Sequence, residues 1–256
     1  MKVMICGKGG SGKSTITVLL ARILADRGYK VVIVDADESN TTLPRMLGVS
    51  TPRPLVEFLG GRSTLVDALR SKKETDLIQA IAKAKEGVRI DDLPPDYVGV
   101  KGNIKLIVIG KIREFGEGCA CPLNFLTRAF LKNLILSKNM IVLVDTDAGV
   151  EHVGRGVEEA VDKILVVVDP TYESLMIAKT LKETASKLGR SFNIILNKVR
   201  ENTLPILLDK ARELQLPVDG WVSYDDELAM CSLQGTPLSS EKALKEIENI
   251  LGRLGL

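Results

Sequence analysis

The sequence predicts an α/β protein with a twisted, mostly parallel sheet of about seven or eight strands and helices on both faces. Three observations support this: short apolar runs recur along the 256 residues, helical periodicity fills the gaps, and turn residues punctuate the switches. Val31–Val34, Leu106–Ile109, Ile141–Val144, Ile164–Val168 and Ile194–Leu196 have the unbroken apolar character of strands buried on both faces. Ile16, Leu19, Leu20, Ile23 and Leu24 form one helical stripe, ended by Gly28 where a left-handed cap is expected. Leu175, Ala178, Leu181, Ala185 and Leu188 repeat the pattern before Gly189. Strands alternating with helices imply βαβ units, hence parallel pairing. Short connections and the lack of a Pro/Gly/Ser-rich linker favour one domain over residues 1–256. Pro52–Gly102, rich in Lys and Ala and carrying Pro94-Pro95, reads as a helical insertion between the second and third strands.

Composition excludes several classes of function. The 35 Lys+Arg against 33 Asp+Glu leave a net charge of +2, which argues against nucleic acid as the main partner. Aromatic residues are 4% of the chain, too few for a base-stacking platform. No apolar run approaches the ~18–20 residues that span a bilayer. Met1 to Cys6 run into a glycine-rich loop with no leader-like stretch, so a cytoplasmic protein is expected. The segment Glu241–Leu256 is amphipathic through Leu244, Ile247, Leu251 and Leu254. Its Lys242, Lys245 and Arg253 are offset by Glu241, Glu246 and Glu248, so docking on the domain is expected rather than a membrane contact.

Gly7-Lys8-Gly9-Gly10-Ser11-Gly12-Lys13-Ser14 fits two motifs. As G-x-G-x-x-G it could turn beneath a dinucleotide, with Asp35 or Asp37 on a ribose hydroxyl. As G-x-x-x-x-G-K-S it cradles a triphosphate, and only this reading uses Lys13 and Ser14. The ammonium of Lys13 then meets the β- and γ-phosphates, and the Ser14 hydroxyl ligates Mg²⁺. Backbone N–H groups of Gly9, Gly10, Ser11, Gly12 and Lys13 supply donors, and Ser14 and Thr15 open the following helix, whose positive end faces the phosphates. Magnesium also needs acidic neighbours. Asp145 ends an apolar strand, while Asp35 and Asp37 end the second strand at the same carboxyl edge. These residues are the expected site for a nucleoside triphosphate with Mg²⁺; the family resemblance given below implies ATP or ADP.

Four cysteines in 256 residues make no disulfide scaffold. Cys6 reads as a small buried strand residue, and Cys231 has no visible partner. Cys119-Ala120-Cys121-Pro122 differs, because Pro122 suits a first helical turn and Leu123, Leu126, Phe130, Leu131 and Leu134 give that helix an apolar side. Cys121 then lies near a helix N-terminus, which favours thiolate. Two thiolates two residues apart can grip a soft ion but leave a four-coordinate shell half filled. A two-fold axis joining Cys119 and Cys121 of two copies around one Ni²⁺ or Zn²⁺ is the simplest completion; a bridging [4Fe–4S] cluster has the same stoichiometry.

Lys8, directly after the first glycine, makes the loop resemble the deviant phosphate loop of the MinD, ParA and nitrogenase-iron-protein ATPases. That resemblance implies that Lys8 crosses a two-fold interface to the partner's nucleotide and that Asp37 positions the attacking water. It also implies that Asp35 and Asp145 serve the magnesium shell and that Asn197-Lys198 contacts adenine. The chain further resembles the nickel-insertion ATPases of carbon monoxide dehydrogenase, the CooC family. This likeness rests on Gly110-Lys111-Ile112-Arg113, on Gly116-Glu117-Gly118-Cys119-Ala120-Cys121-Pro122, and on Asp145 through Gly156. It implies ATP-dependent homodimerisation and delivery of nickel to carbon monoxide dehydrogenase or a related Ni–Fe–S enzyme. Asp147 stands where Glu is expected in many relatives. His152, the sole histidine, is assigned no metal role. Competing readings are a MinD/ParA-like positioning ATPase on membrane or nucleoid and an Fe–S-bridged reductase. A dinucleotide-dependent oxidoreductase is weaker, since it leaves Lys13, Ser14 and Asp145 unexplained.

Overall fold

Strand β1 (Lys2–Cys6) sends Val3 and Ile5 into one hydrophobic layer and Met4 and Cys6 into another, because successive side chains point to opposite faces of a pleated strand. The structure is a computed structural model that describes residues 1–71, 87–111, 121–147 and 156–256. In it β2 (Lys30–Asp35) repeats the pattern, with Val31 and Ile33 facing the first layer and Val32 and Val34 the second. The other strands are β3 (Gly99–Lys101), β4 (Ile104–Val108), β5 (Met140–Asp145), β6 (Lys163–Val168), β7 (Ser191–Val199) and β8 (Gly220–Ser223). Together they form an eight-stranded sheet in the order β3-β4-β2-β5-β1-β6-β7-β8. Every neighbouring pair is parallel except β3 with β4.

Helices cover both faces. Helices α1 (Lys13–Asp26) and α2 (Leu43–Leu47) lie on one side with α8 (Asp226–Gln234) and α9 (Glu241–Leu251), burying Leu20, Leu47, Leu228 and Ile247 against the sheet. The other face carries α3 (Leu55–Phe58), α4 (Arg62–Ser71), α5 (Cys121–Asn133), α6 (Tyr172–Lys187) and α7 (Leu204–Glu213), through Leu55, Leu65, Leu126, Leu181 and Leu207. The α1 stripe is buried as its spacing predicts, and Gly28 follows the helix at φ +86°.

The structure departs from the sequence expectation in three places. The stretch from Pro52 to Gly102 is not helical throughout: after α3 and α4 come 3₁₀ turns at Ile90–Asp92 and Pro95–Tyr97, and then the antiparallel edge strand β3. Three residues carry no readable periodicity, and Val100 in the middle is exposed. At the opposite edge, β8 alternates buried Gly220 and Val222 with exposed Trp221, a pattern too short to register as an apolar run. Asp37 also lies two residues beyond the end of β2 rather than in it.

Helix α9 docks where the sequence analysis expects. It packs on α1 and β8, buries Ala243, Ile247, Ile250 and Leu251, and is followed by buried Leu254. Gly220 permits this approach, since a Cβ there would stand 2.2 Å from Ile250 Cγ2. Among the described residues no helix is long and apolar enough to cross a membrane. Ile247→Ala is expected to lower unfolding free energy by about 2–5 kcal/mol in urea titration, as for other buried aliphatic truncations. A loss under about 1 kcal/mol would show that α9 is not part of the core.

Candidate active site

Sheet register assembles the site. Asp145 at the end of β5 pairs with Asp35 of β2 on one side and Ile5 of β1 on the other. Both carboxylates therefore lie at the carboxyl edge from which the loop leaves β1, where parallel α/β sheets bind ligands. In that loop Gly7, Gly10 and Gly12 have φ of +145°, +78° and +95°, conformations that L side chains rarely adopt. A Cβ at Gly7 would lie 2.3 Å from the Val167 carbonyl oxygen, and one at Gly12 would lie 2.2 Å from Asn197 Nδ2. Ser11 N–H donates to Lys8 O at 3.1 Å, so this amide is spent closing the turn. Helix α1 begins at Lys13 without a side-chain cap on Gly12, leaving its first amides to face the loop.

Lys13 is buried, its Nζ 3.5 Å from Gly7 O and 3.4 Å from Lys8 O. Ser14 Oγ donates to Asp145 Oδ2 at 2.6 Å and accepts from Asn40 Nδ2 at 2.8 Å. Thr17 Oγ1 reaches Asp145 Oδ1 at 3.3 Å. Burial pushes the Asp145 carboxyl up to about 6, against the opposing pull of the Ser14 hydrogen bond and the Lys13 charge. Asp35 is also fully buried and pairs with Lys111 Nζ at 2.7 Å; burial outweighs that pairing and pushes its carboxyl up to about 7. Asp37 Oδ1 accepts from Ser39 N, Ser39 Oγ and Asn40 N at 2.9, 2.7 and 3.0 Å, which folds the segment after β2 into a tight turn.

Two buried oxygens in this group have no hydrogen-bond partner: Asp35 Oδ1 and Ser11 Oγ. An unpaired buried carboxylate oxygen beside a second buried carboxylate and a serine hydroxyl fits a hydrated divalent cation with oxygen ligands. Ser14, Asp35 and Asp145 are the residues that would hold magnesium here. Among the described residues no cluster of three or more His, Cys, Asp or Glu is arranged to hold a metal by itself.

A cleft of about 310 Å³ opens beside Gly10, Gly12, Lys13, Ser14 and Thr15. Its far walls are Thr42, Arg45 and Met46 of the α2 region and Cys231, Ser232, Gly235 and Thr236 of the α8 region. Asn197 and Lys198 act on the phosphate loop itself: Asn197 Nδ2 donates to Ser11 O and Lys198 Nζ to Gly10 O, each at 2.8 Å. Lys8 turns away from its own Lys13 to Glu173 at 2.9 Å, with Thr171 Oγ1 at 3.5 Å. Cys6 is buried, as expected, and burial pushes its thiol up to about 12. Cys121 is the first residue of α5, whereas Cys119, Glu151 and His152 lie outside the described residues.

Sequence reasoning did not assign Thr17, Asn40 or Lys111 to this site. Thr17 lies three residues after Ser14 on the same helical face, a readable signal, and Lys111 follows an apolar strand at the same carboxyl edge. Asn40 carries no local signal; it arrives through the turn closed by Asp37.

Residues 2–238 match the family model of the CobQ/CobB/MinD/ParA nucleotide-binding domain, and the chain belongs to that family of P-loop ATPases. It is 32% identical over 269 residues to the carbon monoxide dehydrogenase accessory protein CooC of Rhodospirillum rubrum, covering 100% of this chain and 98% of that protein. It is 43% identical over 254 residues to an ATP-binding protein of Methanocaldococcus jannaschii, covering 98% of each. The septum site-determining protein MinD of Pyrococcus horikoshii, solved with Mg-ADP, shares the fold with a TM-score of 0.70 at 17% identity, over 99% of this chain and 95% of that one.

Gly12→Ala is expected to weaken ATP binding at least about ten-fold in a fluorescent-nucleotide titration, because the new methyl both strains a left-handed residue and displaces Asn197. Unchanged affinity would remove the loop geometry as the basis of binding. In a Cys119→Ser/Cys121→Ser background, Cys6 is expected to resist a thiol reagent at pH 8 until the protein unfolds, since the neutral thiol is inert. Rapid labelling of Cys6 in the folded protein would contradict its burial.

Proposed function

We propose that the protein is a cytoplasmic, nucleotide-dependent homodimeric metallochaperone of one domain. It carries Ni(II), or binds Zn(II), between Cys119 and Cys121 of two copies and assists nickel insertion into carbon monoxide dehydrogenase or a related Ni–Fe–S enzyme. The observation that carries this reading is the Cys119-Ala120-Cys121 spacing, whose second cysteine opens α5, in a chain alike over its whole length to the accessory protein CooC. A helix N-terminus stabilises thiolate over thiol, and thiolate is the form that binds a soft metal.

In the proposed reaction, Lys13 and the loop amides hold ATP, while Ser14, Asp35 and Asp145 would hold magnesium, which would supply positive charge against the developing phosphate charge. Asp37 accepts a hydrogen bond from a water and orients its oxygen toward the γ-phosphorus. The new P–O bond forms as the bond to the β,γ-bridging oxygen breaks; ADP leaves with the freed electron pair, and the water's proton passes to the oxygens of the released phosphate. Lys8 leaves Glu173 and offers its charge to the partner's γ-phosphate, so that nucleotide holds two subunits together. Asn197 and Lys198, which also hold the Ser11 and Gly10 carbonyls, contact the adenine.

Anaerobic size-exclusion chromatography with Ni(II) and a non-hydrolysable ATP analogue is expected to give a dimer with about one metal per two chains. Cys119→Ser and Cys121→Ser should each lose the metal while keeping ATP binding, and Lys8→Ala should lose the dimer while keeping both cysteines. A monomer with full metal affinity would overturn the shared site. An iron–sulfur absorption band in anaerobically purified protein would favour the reductase reading instead.

A further inference from the structure

Lys111 lies outside the lining of the nucleotide cleft, yet its ammonium sits at the centre of the acidic edge. Its three N–H donors meet three oxygens: Asp35 Oδ2 at 2.7 Å, and the carbonyls of Asp37 and Asn40. The side chain is 8% exposed, so these bonds are made almost out of water, where an unpaired ammonium or carboxylate is costly. The two residues leading into the lysine are held as well. Ile109 N donates to Asp35 O at 3.0 Å, and Gly110 is wedged where a Cβ would lie 2.5 Å from Leu123 Cδ2 and 3.3 Å from Val56 Cγ1. From this fixed base, Lys111 ties the turn Asp37–Asn40 to the end of β2. Asn40 in turn reaches Ser14 Oγ at 2.8 Å, and Asp37 is pinned by Ser39 and Asn40.

We infer that Lys111 is a positioning residue for ATP hydrolysis: it fixes the turn that aims Asp37 without touching the nucleotide. The inference rests on the proposed water-orienting role of Asp37. A group that places Asp37 contributes when the water attacks, not when ATP binds, so its loss separates turnover from affinity.

The test uses the full chain with Mg-ATP, measuring kcat in steady state and nucleotide Kd with a fluorescent ATP analogue. Lys111→Met is expected to lower kcat on the order of 10- to 100-fold, the scale of an ångström-level misplacement, with Kd changed less than about three-fold. If Lys111→Met does not fold because Asp35 is left unpaired, Lys111→Arg decides. It keeps the charge, but its planar head cannot converge on three oxygens as an ammonium does, so kcat should again fall with Kd retained. Unchanged kcat, or kcat and Kd lost in parallel, overturns the inference in either variant. Asp37→Ala is run beside them. If it is slow while the Lys111 variants are normal, only the role of Lys111 fails; if it hydrolyses ATP normally, the reading of Asp37 itself fails.

Discussion

Two buried carboxylates side by side at the end of a parallel sheet set the terms for everything around them. Asp35 and Asp145 are register partners on adjacent strands, and both are withdrawn from water. Removing a carboxylate from water costs several kcal/mol unless partners replace the lost hydration. The surrounding residues are those partners: Lys111 on Asp35, and Ser14 and Thr17 on Asp145 with Lys13 nearby. One oxygen of Asp35 still lacks a donor. A site built in this way is matched to a hard cation and a polyanion, and the glycines of the phosphate loop leave the backbone close enough to hold the second while the carboxylates attract the first.

Lys8 obeys a different constraint. It sits on the same loop as Lys13 but contacts an exposed partner, Glu173, at the start of α6. An ion pair in contact with water is weakly held, whereas the Lys111 pair is enclosed. The two lysines thus divide between an enclosed pair and a surface pair that can change partners, as the proposed nucleotide-driven dimer would require. The cysteines of the proposed metal site differ from this machinery in chemistry, being soft ligands where the nucleotide site uses hard ones.

The central strands were legible because burial on both faces leaves an unbroken apolar run, and α1 and α6 because their stripes end at glycines with positive φ. The edge strands β3 and β8 were not, since a short strand half open to water has no run to read. The phosphate loop was legible residue by residue because its chemistry is local. Gly7, Gly10 and Gly12 are needed where the backbone turns left-handed, and Lys13 and Ser14 open the helix immediately after. The expected alignment of Asp35, Asp37 and Asp145 on one edge followed from their placement at strand ends. The sequence did not say that Asp35 and Asp145 face each other in register, or that Asp37 lies beyond the strand in a turn of its own making.

What the sequence determined by itself is what depends on neighbours along the chain: strand and helix type, the phosphate loop, the docked C-terminal helix and the spacing of the cysteines. What only the tertiary structure decided are contacts between distant segments. Lys111 reaches back 76 residues to Asp35, and Asn197 reaches 186 residues to the Ser11 carbonyl. The cleft is closed by α2 and α8 from far apart in the chain. Such partners leave no periodic trace, because strand order and register bring them together, and both are set by burying two whole hydrophobic layers at once rather than by any local run of residues.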